Sequence, residues 1–143
     1  MANATMQIFG FPGKLVRQYD HWVVLVRPAQ VTLGSLVLVS TSNATAFGDL
    51  PPGAHAELGK VVPDIEAALQ RFCHYDKINY LMLMMVDPHV HFHVIPRYSA
   101  AREWEGIPLP DVGWPGPPDL KSATRLEEDK LNGLRDRISS MFD

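Results

Sequence analysis

Three histidines alternate with apolar residues in one short stretch, and this pattern constrains the chain more than any other feature. The stretch DPHVHFHVIPRYS, residues 87–99, places His89, His91 and His93 at every second position. Side chains on a β-strand alternate between its two faces. The pattern therefore predicts a strand that presents three imidazoles on one face and apolar side chains to a core on the other.

Two valine-rich segments earlier in the chain predict a pair of strands. HWVVLVRP (residues 21–28) and GSLVLVST (residues 34–41) are separated by a short link, which favours an antiparallel pair. A later segment, residues 77–87, is apolar at consecutive positions, as expected for a central strand. Pro88 then predicts a tight turn near Asp87, before the histidine strand.

Two segments have the apolar periodicity of amphipathic helices. Residues 49–73 predict one long helix, kinked where Pro63 removes a backbone donor. Near the C-terminus, TRLE (residues 124–127) resembles a capping box that begins a final helix. The apolar positions of that final helix are Leu131, Leu134, Ile138 and Met141. Helices that follow or precede paired strands predict an α+β fold with an antiparallel sheet.

The residues that follow the histidines are harder to assign to regular elements. Residues 102–119 are rich in Pro and Gly, and we expect an extended segment packed on a surface of this or another subunit. Trp104 and Trp114 are candidates for stacking on a nucleobase, with core or dimer packing as the alternative. Arg97 is expected at the protein surface, with contact to an anionic ligand as the alternative.

Composition excludes several classes of protein. The 143 residues are 46% hydrophobic and 20% charged, which favours one compact domain over residues 1–143 rather than a disordered chain. The net charge of −3 gives no sign of a basic surface for a nucleic acid polymer. With one cysteine, no apolar signal segment and no run long enough to span a membrane, we expect a soluble cytoplasmic protein.

The histidine row allows three interpretations. Two imidazoles can share a metal ion with other ligands, but the outer pair is about 13 Å apart, beyond the reach of about 11 Å for one ion. Imidazoles can also act as a nucleophile or proton shuttle near neutral pH, with neighbours that donate hydrogen bonds to phosphate. The third interpretation is a row of solvated histidines on a polar sheet face.

The stretch HVHFHVI resembles the His-x-His-x-His motif of the histidine triad (HIT) family. The resemblance extends over residues 22–98, from the first strand pair to the residues after the motif, and leaves residues 99–143 as a C-terminal extension. It implies an α+β fold with about five antiparallel strands, a homodimer, and hydrolysis or transfer at the α-phosphorus of a small nucleotide. It implies no metal or other cofactor.

The resemblance also implies a role for each histidine. His91 corresponds to the nucleophile, which forms a nucleotidyl-histidine intermediate that water resolves. His89 corresponds to the first histidine, which supports the site by hydrogen bonding. His93 corresponds to the third, which contacts the phosphate or the leaving group.

The chain departs from the family pattern around the expected substrate. Residues 84–86 are apolar where many members have Gly, Gln or Ser, and the loop is expected to shorten to residues 87–88. Arg27 takes the place of a ribose-binding Asn or Asp, and Ser35 replaces a further histidine. Arg27, Ser35 and Asp87 are the candidate substrate-binding residues. The alternatives are a solvated side chain for Arg27, a structural role for Ser35 and a role in the turn for Asp87. These departures also allow a nucleotide-binding module with little turnover.

Overall fold

The computed structural model describes residues 2–142, in which three α-helices are separated by runs of short strands. The helices are α1 (Ala4–Ile8), α2 (Pro52–Cys73) and α3 (Glu128–Ser139). The strands are β1 (Leu15–Gln18), β2 (Trp22–Val26), β3 (Ala29–Gln30), β4 (Leu36–Ser40), β5 (Lys77–Leu81), β6 (His91–Arg97), β7 (Glu103–Trp104), β8 (Ile107–Pro108) and β9 (Thr124–Arg125).

The main sheet has five antiparallel strands in the order β1-β2-β4-β6-β5. This arrangement, with the long helix α2 and the C-terminal helix α3, confirms the predicted α+β fold. The predicted strand pair is β2 with β4, in register from Trp22 opposite Ser40 to Val26 opposite Leu36. The strand β1, which no sequence pattern indicated, extends the sheet beyond β2.

One face of the sheet packs against α2 and α3 to form the main core. Alternate residues of β2, β4 and β6 contribute, among them Val24, Leu38 and Val94, all fully buried. The helices supply Ile65, Leu69, Leu134 and Ile138, which are buried as completely. Each such side chain stabilises the fold by roughly 1.5–3 kcal/mol. The apolar half of the histidine pattern therefore faces the core, as predicted.

The opposite face carries a second, smaller apolar cluster under α1. Its buried members are Met6, Val23, Leu25, Val37 and Val39. Val39 lies opposite His91 and Val37 opposite His93, so these two histidines share this face. The helix α1 covers the middle of this face and leaves the part over β6 as a cleft.

The helix α2 is continuous through Pro63, which confirms the prediction of one helix. It begins with proline in its first turn, where a missing N–H costs nothing, and ends at His74 in the left-handed conformation. No helix within residues 2–142 is both long enough and apolar enough to cross a membrane.

The predicted central strand over residues 77–87 is wrong in two respects. The strand β5 ends at Leu81 and lies at the edge of the sheet, where it pairs only with β6. Residues 82–90 form an irregular loop rather than a tight turn, and Met84 has a positive φ of 50° that is incompatible with a strand. The apolar run reflects exposed loop side chains, with Met85 86% and Val86 89% exposed.

The C-terminal extension also differs from prediction. Thr124 pairs with Gln30 in β9, and α3 begins at Glu128 without a side-chain cap, so the capping box is wrong. The segment expected to be wholly irregular contains the hairpin β7–β8. Its Trp104 packs against Phe72 and donates a 3.1 Å hydrogen bond to the carbonyl of Lys130. This segment therefore packs on its own subunit.

The expectation of a surface position for Arg97 is also wrong. Its side chain is 4% exposed, and its guanidinium makes a bidentate ion pair with Asp111, at 2.7 Å and 3.0 Å. It also donates to Asn79 Oδ1 and to the carbonyl of Gly116. Because its donors are used in this way, Arg97 fastens the extension to β6 and does not face a ligand.

Candidate active site

A cleft of about 360 Å³ lies on the histidine face, between the end of α1 and the loop of residues 82–90. We call it the histidine cleft. It is lined by Phe9, Arg27, Leu83, Met84, Met85, Val86, Asp87, His91 and His93. The middle and last histidines of the motif therefore open into one cavity, together with two of the three candidate substrate-binding residues.

His91 has a defined proton arrangement. Its Nδ1 lies 2.7 Å from the carbonyl oxygen of His89, and a carbonyl only accepts hydrogen bonds, so Nδ1 carries the proton. In the neutral ring the lone pair is then on Nε2. The side chain is 2% exposed, and its ring packs 5.6 Å from that of Phe9. The ring is thus fixed, with its basic nitrogen assigned by a main-chain group.

His89 precedes the strand, so the expectation of three histidines on one regular strand is wrong. The strand β6 begins at His91, and His89 lies at the end of the preceding loop. Its backbone N–H donates to Thr5 Oγ1 at 3.3 Å, and its ring Nδ1 lies 3.0 Å from the same hydroxyl. The imidazole of His89 is therefore held by α1, and it is the main-chain carbonyl of His89 that contacts His91.

His93 is held as a neutral imidazole. Burial lowers its pKa to about 4, and the charge of Arg27 and the neighbouring His91 add to the effect. Arg27 Nε donates a long, 3.4 Å hydrogen bond to His93 Nδ1, so the proton of the neutral ring is on Nε2. The rings of His91 and His93 are 5.1 Å apart and nearly perpendicular. This arrangement supplies an acceptor nitrogen on His91 beside a donor N–H on His93.

Arg27 follows β2 and lines the cleft rather than extending into solvent. It is half-buried, and its guanidinium also donates to the carbonyl of Ala29. Burial lowers its pKa, and repulsion from Arg125 lowers it further. The side chain therefore presents a cation to the cleft, as required of an anion contact.

Asp87 and Ser35 have different positions. Asp87 lines the cleft, but among the described residues no hydrogen bond joins it to an imidazole. Ser35 is completely buried, and its hydroxyl donates to the carbonyl of Thr32 and accepts from the backbone N–H of the same residue. Its hydroxyl serves the turn before β4, so the structure does not bring Ser35 to the cleft as a substrate contact.

The helix α1 and its C-cap residue Phe9 contribute contacts to the site that no sequence pattern indicated. Phe9 packs on both cleft histidines, and Thr5 holds His89. The helix has five residues, too few for an apolar periodicity, and its one signal is the N-cap Asn3, which accepts from the N–H of Met6. Trp104 and Trp114 do not line the cleft, so the base-stacking role considered for them is not supported.

Comparison with known proteins identifies solved structures that share this fold. No protein-family model and no curated protein matches the chain. A histidine triad (HIT) protein of Sinorhizobium meliloti of known structure superposes with a TM-score of 0.74 at 21% identity, over 98% of this chain and 95% of that one. The chain has the histidine triad fold.

Two further solved structures with the histidine triad fold have a named activity or a bound metal. The Plasmodium falciparum diadenosine triphosphate hydrolase, solved with cyclomarin A, matches with a TM-score of 0.67 at 10% identity, over 90% of this chain and 76% of that one. A zinc-bound histidine triad family protein of Mycobacterium smegmatis matches with a TM-score of 0.57 at 18% identity, over 90% and 86%. At sequence identities this low, the likeness shows a shared fold alone.

Proposed function

We propose that the protein is a nucleotidyl hydrolase or transferase that acts at a nucleotide α-phosphorus through a covalent intermediate on His91. The observation that carries the proposal is the position of His91, which opens into the histidine cleft with Nδ1 held by the carbonyl of His89. The same ring has an adjacent neutral donor in His93 and a nearby cation in Arg27. The likeness to a diadenosine triphosphate hydrolase agrees with this chemistry.

The proposed reaction has two displacement steps. His91 Nε2 attacks the α-phosphorus, forming an N–P bond as the bond from phosphorus to the leaving atom breaks and its electron pair departs with that atom. Water or another acceptor then attacks phosphorus and releases its proton to the solvent, and the electron pair of the breaking N–P bond returns to His91 Nε2. His93 Nε2–H and Arg27 stabilise the oxygens that gain charge in both transition states.

Trapping the intermediate tests this proposal. Rapid quench of the wild-type protein with an adenylyl donor, followed by peptide mass spectrometry, is expected to add an adenylyl mass to the peptide that contains His91. The variant His91→Ala should lose the added mass and nearly all turnover. The matched control is His55→Ala, which removes an exposed histidine outside the cleft and should keep both. Full activity in His91→Ala would reject the mechanism.

A binding module with little turnover is the second candidate. The observation that favours it is the loop of residues 82–90, which lines the cleft with exposed apolar side chains at Met85 and Val86. Calorimetric titration with a panel of nucleoside phosphoramidates and dinucleoside polyphosphates separates the two. Tight binding without turnover of any substrate would favour the module.

A zinc site that uses two of the histidines is the third candidate. The zinc-bound protein with the same fold is the reason to test it. Among the described residues, no group of three or more His, Cys, Asp or Glu side chains is arranged to hold a metal. Elemental analysis of the purified protein is the check, and a stoichiometric metal would favour this candidate.

A further inference from the structure

We propose that Thr5 is a positioning residue for the nucleophile, acting from α1 through the main chain of His89 on the ring of His91. The proposal rests on the proposed function, because it names what keeps the attacking nitrogen free to reach phosphorus. Thr5 is completely buried and lies outside the lining of the histidine cleft, so its effect on the reaction is indirect. It fixes the carbonyl that holds the proton on His91 Nδ1.

The first observation is that one hydroxyl holds His89 at two points. Thr5 Oγ1 accepts from the backbone N–H of His89 at 3.3 Å and lies 3.0 Å from the ring Nδ1 of the same residue. A buried donor without an acceptor costs about 1–3 kcal/mol. Among residues 2–142, Nδ1 is the one acceptor within reach of the hydroxyl proton, so Thr5 donates to it. The backbone and the ring of His89 are thus fixed together.

The second observation is that the main chain of His89 depends on bonds other than those of the sheet. The strand β6 begins at His91, so His89 lies outside its ladder. The peptide group before His89 is held by Thr5, and the peptide group after it is held by Val90, whose N–H donates to the carbonyl of Ala44 at 3.3 Å. The two bonds together set the direction of the His89 carbonyl, which lies 2.7 Å from His91 Nδ1.

The third observation is that α1 is itself fixed to the strands that carry the site. The side chain of Asn3 caps this short helix, and its Nδ2 donates to the carbonyl of Ser40 at 2.8 Å. The backbone N–H of Ser40 donates in turn to the carbonyl of Val90 at 3.0 Å. The end of β4 therefore bonds both to α1 and to the residue after His89, so Thr5 has a defined position relative to β6.

This chain of contacts has a consequence for the chemistry. A neutral imidazole has its lone pair on one nitrogen only, and His91 can attack phosphorus from Nε2 only while Nδ1 carries the proton. If the carbonyl of His89 turned away, the proton could move to Nε2 and the ring could shift. A shift of about 1 Å in a reacting group can cost about a hundredfold in rate. Because Thr5 is remote from the substrate, the loss should fall on kcat rather than on KM.

Kinetics of two Thr5 variants test the proposal. Thr5→Val removes the hydroxyl and keeps the shape of the side chain, and its kcat with diadenosine triphosphate is expected to fall about ten- to a hundredfold with KM nearly unchanged. Thr5→Ser keeps the hydroxyl and should retain kcat to within about threefold. The matched control is Thr32→Val, which removes another completely buried hydroxyl, bonded to the carbonyl of Pro96, and should keep kcat.

Nitrogen-15 NMR of the histidine rings reads the tautomer of His91 without turnover. The neutral ring should carry its proton on Nδ1 in the wild type, in Thr5→Ser and in Thr32→Val, and should place a substantial fraction on Nε2 in Thr5→Val. Chemical denaturation of the variants should show similar losses for Thr5→Val and Thr32→Val, so that stability does not explain the difference. If Thr5→Val does not fold, Thr5→Ala, with a smaller side chain, takes its place in both measurements.

The two readouts separate this proposal from the proposed function. An unchanged tautomer in the variant without the hydroxyl, or a kcat equal to that of an active wild type, would overturn the positioning role of Thr5. Equal losses of kcat in Thr5→Val and Thr5→Ser would also overturn it. If the wild type turned over no substrate while Thr5→Val changed the tautomer of His91, the proposed function would fail and the positioning role would stand.

Discussion

At the scale of single residues, the three motif histidines have three different environments. His91 is oriented by a main-chain carbonyl, His93 is kept neutral by burial beside Arg27, and His89 is bound to a threonine hydroxyl. A repeated residue type therefore does not mean a repeated role. The division of labour depends on which neighbour each ring contacts.

The lowered pKa of His93 predicts that stability depends on pH. The unfolded chain protonates this ring below about pH 6.5, whereas the native chain does so only near its pKa of about 4. The unfolded state therefore binds more protons in this window. The contribution of His93 to the free energy of unfolding should be fully present above pH 6.5. It should decrease as the pH falls toward 4, by up to about 2 kcal/mol after allowance for solvent screening.

Urea denaturation at several pH values measures this effect. Other groups also titrate in this range, so the comparison is between the wild type and His93→Gln, which cannot titrate at this position. The wild type should lose more stability than the variant between pH 6.5 and pH 4. Parallel pH profiles for the two proteins would contradict the assignment.

At the scale of elements, two segments that no periodicity indicated complete the site. The helix α1 covers the sheet and holds His89, and the loop of residues 82–90 forms a wall of the cleft. The C-terminal extension is fastened to β6 by the buried pair of Arg97 and Asp111.

Removal of one partner from this buried pair should destabilise the fold. In Asp111→Ala the buried Arg97, whose side chain is 4% exposed, loses its carboxylate partner, and the free energy of unfolding should fall by about 3 kcal/mol. The matched control is Lys130→Ala, which breaks the exposed pair with Glu105 and should cost less than about 1 kcal/mol. Chemical denaturation measures both. Similar losses in the two variants would contradict the structural role of the buried pair.

At the scale of the whole molecule, the main core draws side chains from nearly the entire chain, from Val16 to Ile138. This agrees with a single domain, which stays a prediction. The cytoplasmic location also stays a prediction. Several apolar side chains remain at the surface beside the histidine cleft or the neighbouring cleft next to Arg27. They are Ile8, Leu83, Met85 and Val86.

We expect the protein to form a homodimer. The edge strand β5 has unpaired backbone groups on its outer side, and exposed edges and apolar patches favour association. Light scattering coupled to gel filtration, over a range of concentrations, should give twice the mass of one chain. A mass of one chain at every concentration would contradict the dimer.

The sequence by itself determined the elements whose pattern is local. Alternation of polar and apolar residues predicted the histidine strand, valine-rich runs predicted the first strand pair, and apolar periodicity predicted α2 and α3, because each pattern lies within one element. Only the tertiary structure decided which groups surround the histidines. Thr5 and Phe9 reach the motif histidines from a distant part of the chain, and Ser35 and Arg97 are turned away from the histidine cleft by their own partners. Contacts between residues far apart in sequence leave no periodic trace, since they depend on how the elements pack.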